Sequence, residues 1–258
     1  MTFISKKTNK IIIISALTFV TGLYFLLSFQ MFFFKTIYPS KIWAHRVNSI
    51  EKYSEAQNKY TGVELDIVYD SINNIFDVNH PPAKSIGLNL KSFFKSKKEG
   101  GNFNIWLDYK NLNKYNFKES AKKLEEISSS LKINFGNIIV ESSNPIYLLE
   151  FSKRGFKTSY YLPATISTYN DERISRERKI IDSNNLDYIS SNFTDYNFIK
   201  ENFPNKKLLT WIINNPINIR NPYTLKLSII NFIRNFKIIN DKDVRVVLFK
   251  FNAISGNR

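Results

Sequence analysis

The amino-acid sequence predicts a single (β/α)8 barrel of TIM type preceded by one N-terminal transmembrane helix. Three observations carry this. An uncharged, almost wholly apolar run of 24 residues, Ile11–Phe34, lies near the N-terminus. After residue 40, eight short β-rich runs alternate with longer amphipathic stretches, as in a closed parallel sheet wrapped by helices. The conspicuous polar residues recur at the ends of those runs, where such a barrel collects its functional groups. An open doubly wound sheet is the competing architecture, but no glycine-rich dinucleotide fingerprint or P-loop is present.

The N-terminal run exceeds the roughly 20 residues a helix needs to cross a bilayer's hydrocarbon core. Lys6, Lys7 and Lys10 precede it, and only Lys35 and Lys41 follow closely. The positive-inside rule then places the N-terminus in the cytoplasm and the domain on the periplasmic or extracellular side. A cleaved signal peptide is the alternative. The run is long for that role, with no Ala-x-Ala site and no lipobox cysteine after it. Residues 1–40 are therefore expected to be a cytoplasmic tip and signal anchor, and residues 41–258 one domain.

The expected strands are Ile42–Arg46, Val63–Tyr69, Phe103–Tyr109, Asn137–Glu141, Phe156–Tyr161, Leu186–Ser190, Lys207–Ile213 and Val244–Lys250. Helical patterns separate them. Ser49–Tyr60 follows Asn48 and Phe117–Leu131 follows Asn116, each asparagine a suitable N-cap. Leu88–Lys98 precedes the third strand. Pro145–Arg154 has proline at the favoured first position and Gly155 just past its end. Asp171–Asn184, Asp195–Asn202 and Pro222–Phe236 complete the set.

Composition narrows the chemistry. With 43% hydrophobic and 15% aromatic residues, the chain can build a large core. The absence of cysteine excludes disulfides, thiolate metal sites and a cysteine nucleophile. A net charge of +15 invites a polyanion reading, yet the basic residues are spread along the chain with no basic run, zinc motif or RNA-binding signature. No nucleic-acid partner is expected; a distributed basic surface suits anionic lipid or a phosphorylated substrate.

Only two histidines occur, His45 and His80, and they bracket Glu64-Leu65-Asp66. Carboxylates two apart on a strand share one face, and histidine exchanges protons near neutral pH. Asp108 and Lys110 repeat the spacing at the end of the third strand, and Arg46 follows His45. Glu141 ends the fourth strand, Tyr160 and Tyr161 the fifth, Ser190 and Ser191 the sixth, and Trp211 lies in the seventh. Hard oxygen ligands beside two proton-transfer groups suit metal-assisted phosphoester cleavage. Plainer readings exist for each: a Glu-x-Asp polar face, a Lys110–Asp108 salt bridge, His80 in a rigid loop before Pro81-Pro82, and Tyr160, Ser190 and Trp211 as barrel filling.

Trp43-Ala44-His45, Val47-Asn48-Ser49, Glu64-Leu65-Asp66 and His80-Pro81-Pro82 together resemble the menorin family, a branch of the phospholipase-C-like and glycerophosphodiester phosphodiesterase barrels. The resemblance implies that 41–258 is a phosphodiesterase barrel. By position it assigns His45 and His80 to the catalytic histidines and Arg46 to phosphate. It assigns Glu64, Asp66 and Asp108 to a divalent cation, Mg2+ or Ca2+, and Lys110 to the family's lysine. Trp211 resembles the tryptophan of the seventh strand, and Glu141 and Tyr160 are expected on the substrate side. The chain departs from the phosphodiesterase branch at Val47, which replaces a glycine, at Pro81, which replaces an aspartate, and at Asp108, which replaces a glutamate. The expected activity is a membrane-anchored, metal-dependent phosphodiesterase or phosphodiester lyase acting on a small-molecule or lipid-envelope phosphodiester. Two other classes stay open: a non-catalytic barrel serving as an envelope scaffold, and a glycan hydrolase using the carboxylates alone, which leaves both histidines and Arg46 without a role.

Overall fold

A computed structural model describes residues 6–97, 103–212 and 221–252. Nine strands form one sheet: β1 (Ile42–His45), β2 (Gly62–Asp70), β3 (Ile75–Val78), β4 (Asn104–Tyr109), β5 (Ile138–Ser142), β6 (Lys157–Tyr161), β7 (Tyr188–Asn192), β8 (Leu208–Ile212) and β9 (Val244–Lys250). Their order is β1-β9-β8-β7-β6-β5-β4-β2-β3, and an added β1–β2 pairing through Ala44 and Val63 closes the sheet. All pairings around the closed circuit are parallel, so eight strands make a TIM-type barrel as the sequence predicts. The expected strands recur in order with ends shifted by no more than two residues. Ile213 and Lys98, expected ends of one strand and one helix, lie outside the described residues. β3 is the addition: it pairs antiparallel with β2 from Ile67–Val78 to Asp70–Ile75, forming a hairpin on the C-terminal extension of β2.

The helices are α1 (Lys6–Ser28), α2 (Gln30–Ile37), α3 (Ile50–Ala56), α4 (Leu90–Lys95), α5 (Phe117–Ser130), α6 (Leu149–Ser152), α7 (Asp171–Ser183), α8 (Tyr196–Asn202) and α9 (Pro222–Asn240). Local chemistry explains several ends. The Asn170 side chain accepts from the Arg173 N–H and starts α7. Gly155 takes φ +89°, the left-handed conformation a side chain resists, and stops the helix before it. The single helix expected over Pro145–Arg154 is instead a 3-10 turn, Pro145–Tyr147, followed by the short α6. Ser49, not Asn48, caps α3 by accepting from the Lys52 N–H.

Inside the barrel, Trp43, Trp106, Ile139, Leu209, Val246 and Leu248 pack into an apolar floor. Gly62 makes room for it: a Cβ there would lie 2.5 Å from the Trp43 ring. Outward-facing strand residues pack under the helices in two larger cores.

The N-terminal run divides in two. Ile11–Ser28 is long and apolar enough to cross a membrane, with only 6% of it buried. α2, which the sequence boundary at residue 40 places with the anchor, packs on the barrel: Phe34 is fully buried and stacks on Phe232 at 5.3 Å, beside Phe249. Its burial contributes roughly 1.5–3 kcal/mol. Met31–Phe34 is apolar on every side, with Phe34 buried and Phe32 exposed, so hydropathy alone merges it with the span.

Candidate active site

One cavity of about 160 Å³ opens at the strand C-terminal end of the barrel, and His45, Arg46, Glu64, Asp66, His80, Asp108, Lys110, Glu141 and Trp211 all line it. The register explains the convergence. Asp66 on β2 stands opposite Asp108 on β4, which stands opposite Glu141 on β5, so three acids share one level. Glu64 lies a layer below, level with Trp106. His45 ends β1, and Asn79 returns to the barrel mouth by donating its N–H to the Asp66 carbonyl at 3.1 Å, which delivers His80.

Tyr160 is the exception among the expected residues. It points outward from β6, and its hydroxyl donates to Glu177 Oε2 on α7 at 3.0 Å. Its neighbour Tyr161 has the inward parity and lines the cavity, its ring edge-on to Trp211 at 5.4 Å. Ser190 is buried in the barrel, while Ser191 turns to Asp195 Oδ2 at 2.9 Å.

Arg46 has φ +56°, a left-handed conformation that costs a non-glycine residue on the order of 1 kcal/mol. It aims the Arg46 N–H at Glu64 Oε2, 2.7 Å away. Its guanidinium Nη2 lies 3.2 Å from His80 Nε2. Arginine only donates, so that nitrogen accepts. Asn48 grips Asp66 twice: Nδ2 donates to Oδ2 at 2.7 Å, and Oδ1 accepts from the Asp66 N–H at 2.9 Å. This is why it does not cap α3. The Lys110 ammonium lies 2.9 Å from Asp66 Oδ1 and also pairs with Asp108.

Ligand oxygens of Glu64, Asp66 and Asp108 all lie within 4.8 Å of one another. Burial, and then the charges of Asp66 and Asp108, hold the Glu64 carboxyl well above its ordinary range. Burial likewise raises Asp108, against the pull of Lys110. Burial would lower Lys110, but Asp108 and Asp66 outweigh it and hold it above its usual value. An all-oxygen set of this kind, short of positive charge, fits a hard divalent cation. His45 Nε2 is 3.6 Å from Glu64 Oε2 and His80 Nε2 is 3.8 Å from Asp66 Oδ1, so the histidines flank the acids on two sides. Burial, then the adjoining Arg46 charge, pushes His45 down to about 4, leaving it neutral at physiological pH.

Sequence reasoning assigns no role in the site to three contributors. Asn48 looked like a helix cap. Tyr161 differs from Tyr160 only in strand parity. Trp106 lies in an apolar run, yet it lines the cavity, and its buried indole N–H has no hydrogen-bond partner among the described residues.

No family model and no curated protein matches the chain. Its fold does match solved structures. A glycerophosphodiester phosphodiesterase from Parabacteroides distasonis aligns with TM-score 0.55 at 14% identity, over 81% of this chain and 92% of that one. One from Thermotoga maritima gives TM-score 0.54 at 16% identity, over 80% and 92%. An Oleispira antarctica phosphodiesterase, solved with its product sn-glycerol-3-phosphate, gives 0.53 at 13%, over 83% and 94%. At these identities the likeness is one of architecture: the chain has the barrel fold of the glycerophosphodiester phosphodiesterases.

Proposed function

We propose that the chain is a metal-dependent phosphodiesterase-like hydrolase, or a phosphodiester lyase, held at a membrane by α1. The observation that carries this is the meeting of both histidines, Arg46, Lys110 and the Glu64-Asp66-Asp108 set in one small cavity at the barrel mouth. The fold shared with phosphodiesterases supports it, and so does the residue pattern that resembles menorins. Glu64, Asp66 and Asp108 would hold Mg2+ or Ca2+, which supplies Lewis acidity toward a phosphoryl oxygen. Arg46 and Lys110 bind the remaining phosphate oxygens and offset developing charge. One histidine takes the proton of the attacking hydroxyl or water, and the other returns one to the leaving oxygen. Tyr161 and Trp211 form an aromatic wall of the cavity. The lysine excess ahead of the apolar run favours a cytoplasmic N-terminus and an exported barrel.

One observation favours a non-catalytic barrel instead. Lys110 already pairs with two of the acids, and Arg46 with His80, so the site has partial internal neutralisation. Hydrolysis of bis(p-nitrophenyl) phosphate and glycerophosphocholine by the full chain in detergent separates the two. Activity is expected with Mg2+ or Ca2+, and its loss with EDTA; His45→Ala should lower it about 10²–10⁴-fold. Activity that survives both treatments, or none under any condition, overturns the proposal.

A further inference from the structure

The anchor helix leaves the barrel at the end that carries the cavity. α2 and α9 run side by side in the same direction on the outside of the barrel. Phe34 stacks on Phe232, and further along both helices the Tyr38 hydroxyl donates to Asn240 Oδ1 at 3.2 Å. Lys41 Nζ then donates to the Ile239 and Asp241 carbonyls at 2.9 and 2.7 Å, at the end where β1 and β9 begin. The opposite end of α9, Pro222, follows the C-terminal end of β8. At the junction Phe29 leaves the helical region (φ −107°, ψ 19°), so α1 and α2 meet at a bend. Its N–H still donates to the Phe25 carbonyl at 2.9 Å, and the last turn of α1, where Leu27 is buried, packs against α9. α1 therefore extends past the start of α9 and out beyond the barrel mouth.

A second, independent observation concerns exposed apolar side chains. Among the described residues that follow α2 and lie outside α9, these are Ile50, Ile72, Ile75, Ile86, Tyr115, Ile146 and Leu149. Every one lies between the C-terminal end of a barrel strand and the first turn of the helix after it. Exposure reaches 93% at Ile72, 68% at Ile86, 80% at Tyr115 and 65% at Ile146. The described loops at the opposite end hold exposed Lys59, Lys132, Lys153, Asn205 and Lys242 but no exposed large apolar residue except Ile37, where α2 ends. The apolar segments follow β1, β2, β4 and β5, neighbours in the circuit, and Tyr223 continues the arc after β8 toward α1. Lys84 and Lys114 are exposed within the same arc, Lys114 lying 4.7 Å over the Tyr115 ring. Apolar tips interleaved with lysine are the chemistry of an anionic bilayer surface.

We infer that the cavity-bearing rim of the barrel rests on the membrane that α1 enters, so the site faces the phosphodiester headgroups of lipids in that leaflet. This rests on the proposed function for its chemistry and on the helix directions for its geometry. A barrel standing with its mouth away from the bilayer would need α1 to double back over its length, and the packing of the last turn of α1 against α9 opposes that. It also turns the small cavity to advantage: about 160 Å³ accommodates a phosphodiester core while the acyl chains stay in the bilayer.

The chain has no cysteine, so a single introduced thiol reports one position. Ile72→Cys and Ile146→Cys on the rim, and Lys132→Cys and Asn205→Cys opposite, are labelled with bimane. The full-length proteins are then reconstituted in phosphatidylcholine–phosphatidylglycerol vesicles containing headgroup-region doxyl lipid. Several-fold stronger quenching of the rim labels is expected. Equal quenching at both ends, stronger quenching opposite the mouth, or rim labels protected only by contact between copies overturns the inference. Hydrolysis is followed in parallel on phosphatidylglycerol in the vesicles and on soluble bis(p-nitrophenyl) phosphate. The Ile72→Asp, Ile146→Asp double variant should lose about tenfold on the vesicle lipid, with the soluble rate unchanged. Soluble turnover with unquenched rim labels defeats the orientation alone. Quenched rim labels with no turnover of either substrate defeat the phosphodiesterase reading and leave the seating on lipid intact.

Discussion

Glu141→Gln should make the barrel more stable, and by an amount that depends on pH. Glu141 is fully enclosed on β5, and its Oε2 accepts from the Ser159 hydroxyl at 2.9 Å. Burial first, and then the nearby Asp108 charge, raise its carboxyl from 4.5 to about 8. Below 4.5 the folded and unfolded chains both carry the proton, and the site costs nothing. As pH climbs from 4.5 the unfolded chain releases its proton while the folded chain keeps it, so stability falls until the folded carboxyl ionises near 8 and is level beyond. That difference corresponds to a ceiling of about 5 kcal/mol. Water penetration and relaxation of the cavity reduce the observable to a few kcal/mol, or roughly 5–10 °C for a chain of this size. Glutamine keeps the acceptor for Ser159 and cannot ionise. Thermal melts of both proteins in detergent with EDTA, from pH 5 to 9, should start close together and diverge as pH rises, the variant melting higher. Glu64 and Asp108 are present in both proteins, so the widening gap belongs to Glu141. Parallel curves would refute the assignment of a buried, proton-retaining carboxyl on the cavity wall.

Three further outcomes follow from the geometry. Mg2+ or Ca2+ at about a hundred times its Kd should stabilise the full chain by roughly 2.7 kcal/mol, and Asp66→Asn should abolish the shift in a thermal melt. Gly62→Ala drives a methyl into the Trp43 ring, whose indole N–H is fixed to the Ser40 carbonyl at 3.0 Å, and should cost about 1–3 kcal/mol in denaturant unfolding. Tyr161→Ala should raise KM about fivefold by removing the edge contact with Trp211, while Tyr160→Phe, which alters only a contact to α7, should leave kcat and KM unchanged.

Much of the site was legible because strand geometry is periodic. Glu64 and Asp66 share a face by their spacing, and Asp108 with Lys110 repeats it one strand away. Placing each pair at a strand end was enough to bring them to one mouth. Tyr160 and Tyr161 show the limit. Adjacent aromatic residues satisfy either face, and only the pairing of Glu141 with Ser159 settles which one turns inward. β3 escaped notice because four residues of a hairpin carry too short an alternation to separate from the loop around them. Asn48 sits just where a helix cap belongs, and nothing local reveals that Asp66, eighteen residues on, competes for its amide. Apolar content likewise fused α1 with α2, since a membrane span and a buried helix face are written in the same residues.

The seating of α2 has a practical corollary for preparing a detergent-free form of the protein. Starting the chain at Lys41, the first residue after the boundary the sequence suggests, would strip Phe34 from its place against Phe232 and Phe249. Starting it at Phe29 removes the exposed span but keeps every side chain of α2 that the barrel covers. The chain starting at Lys41 should aggregate and the one starting at Phe29 stay monodisperse, so the seam between the apolar span and the barrel lies a full helix earlier than the boundary at residue 40.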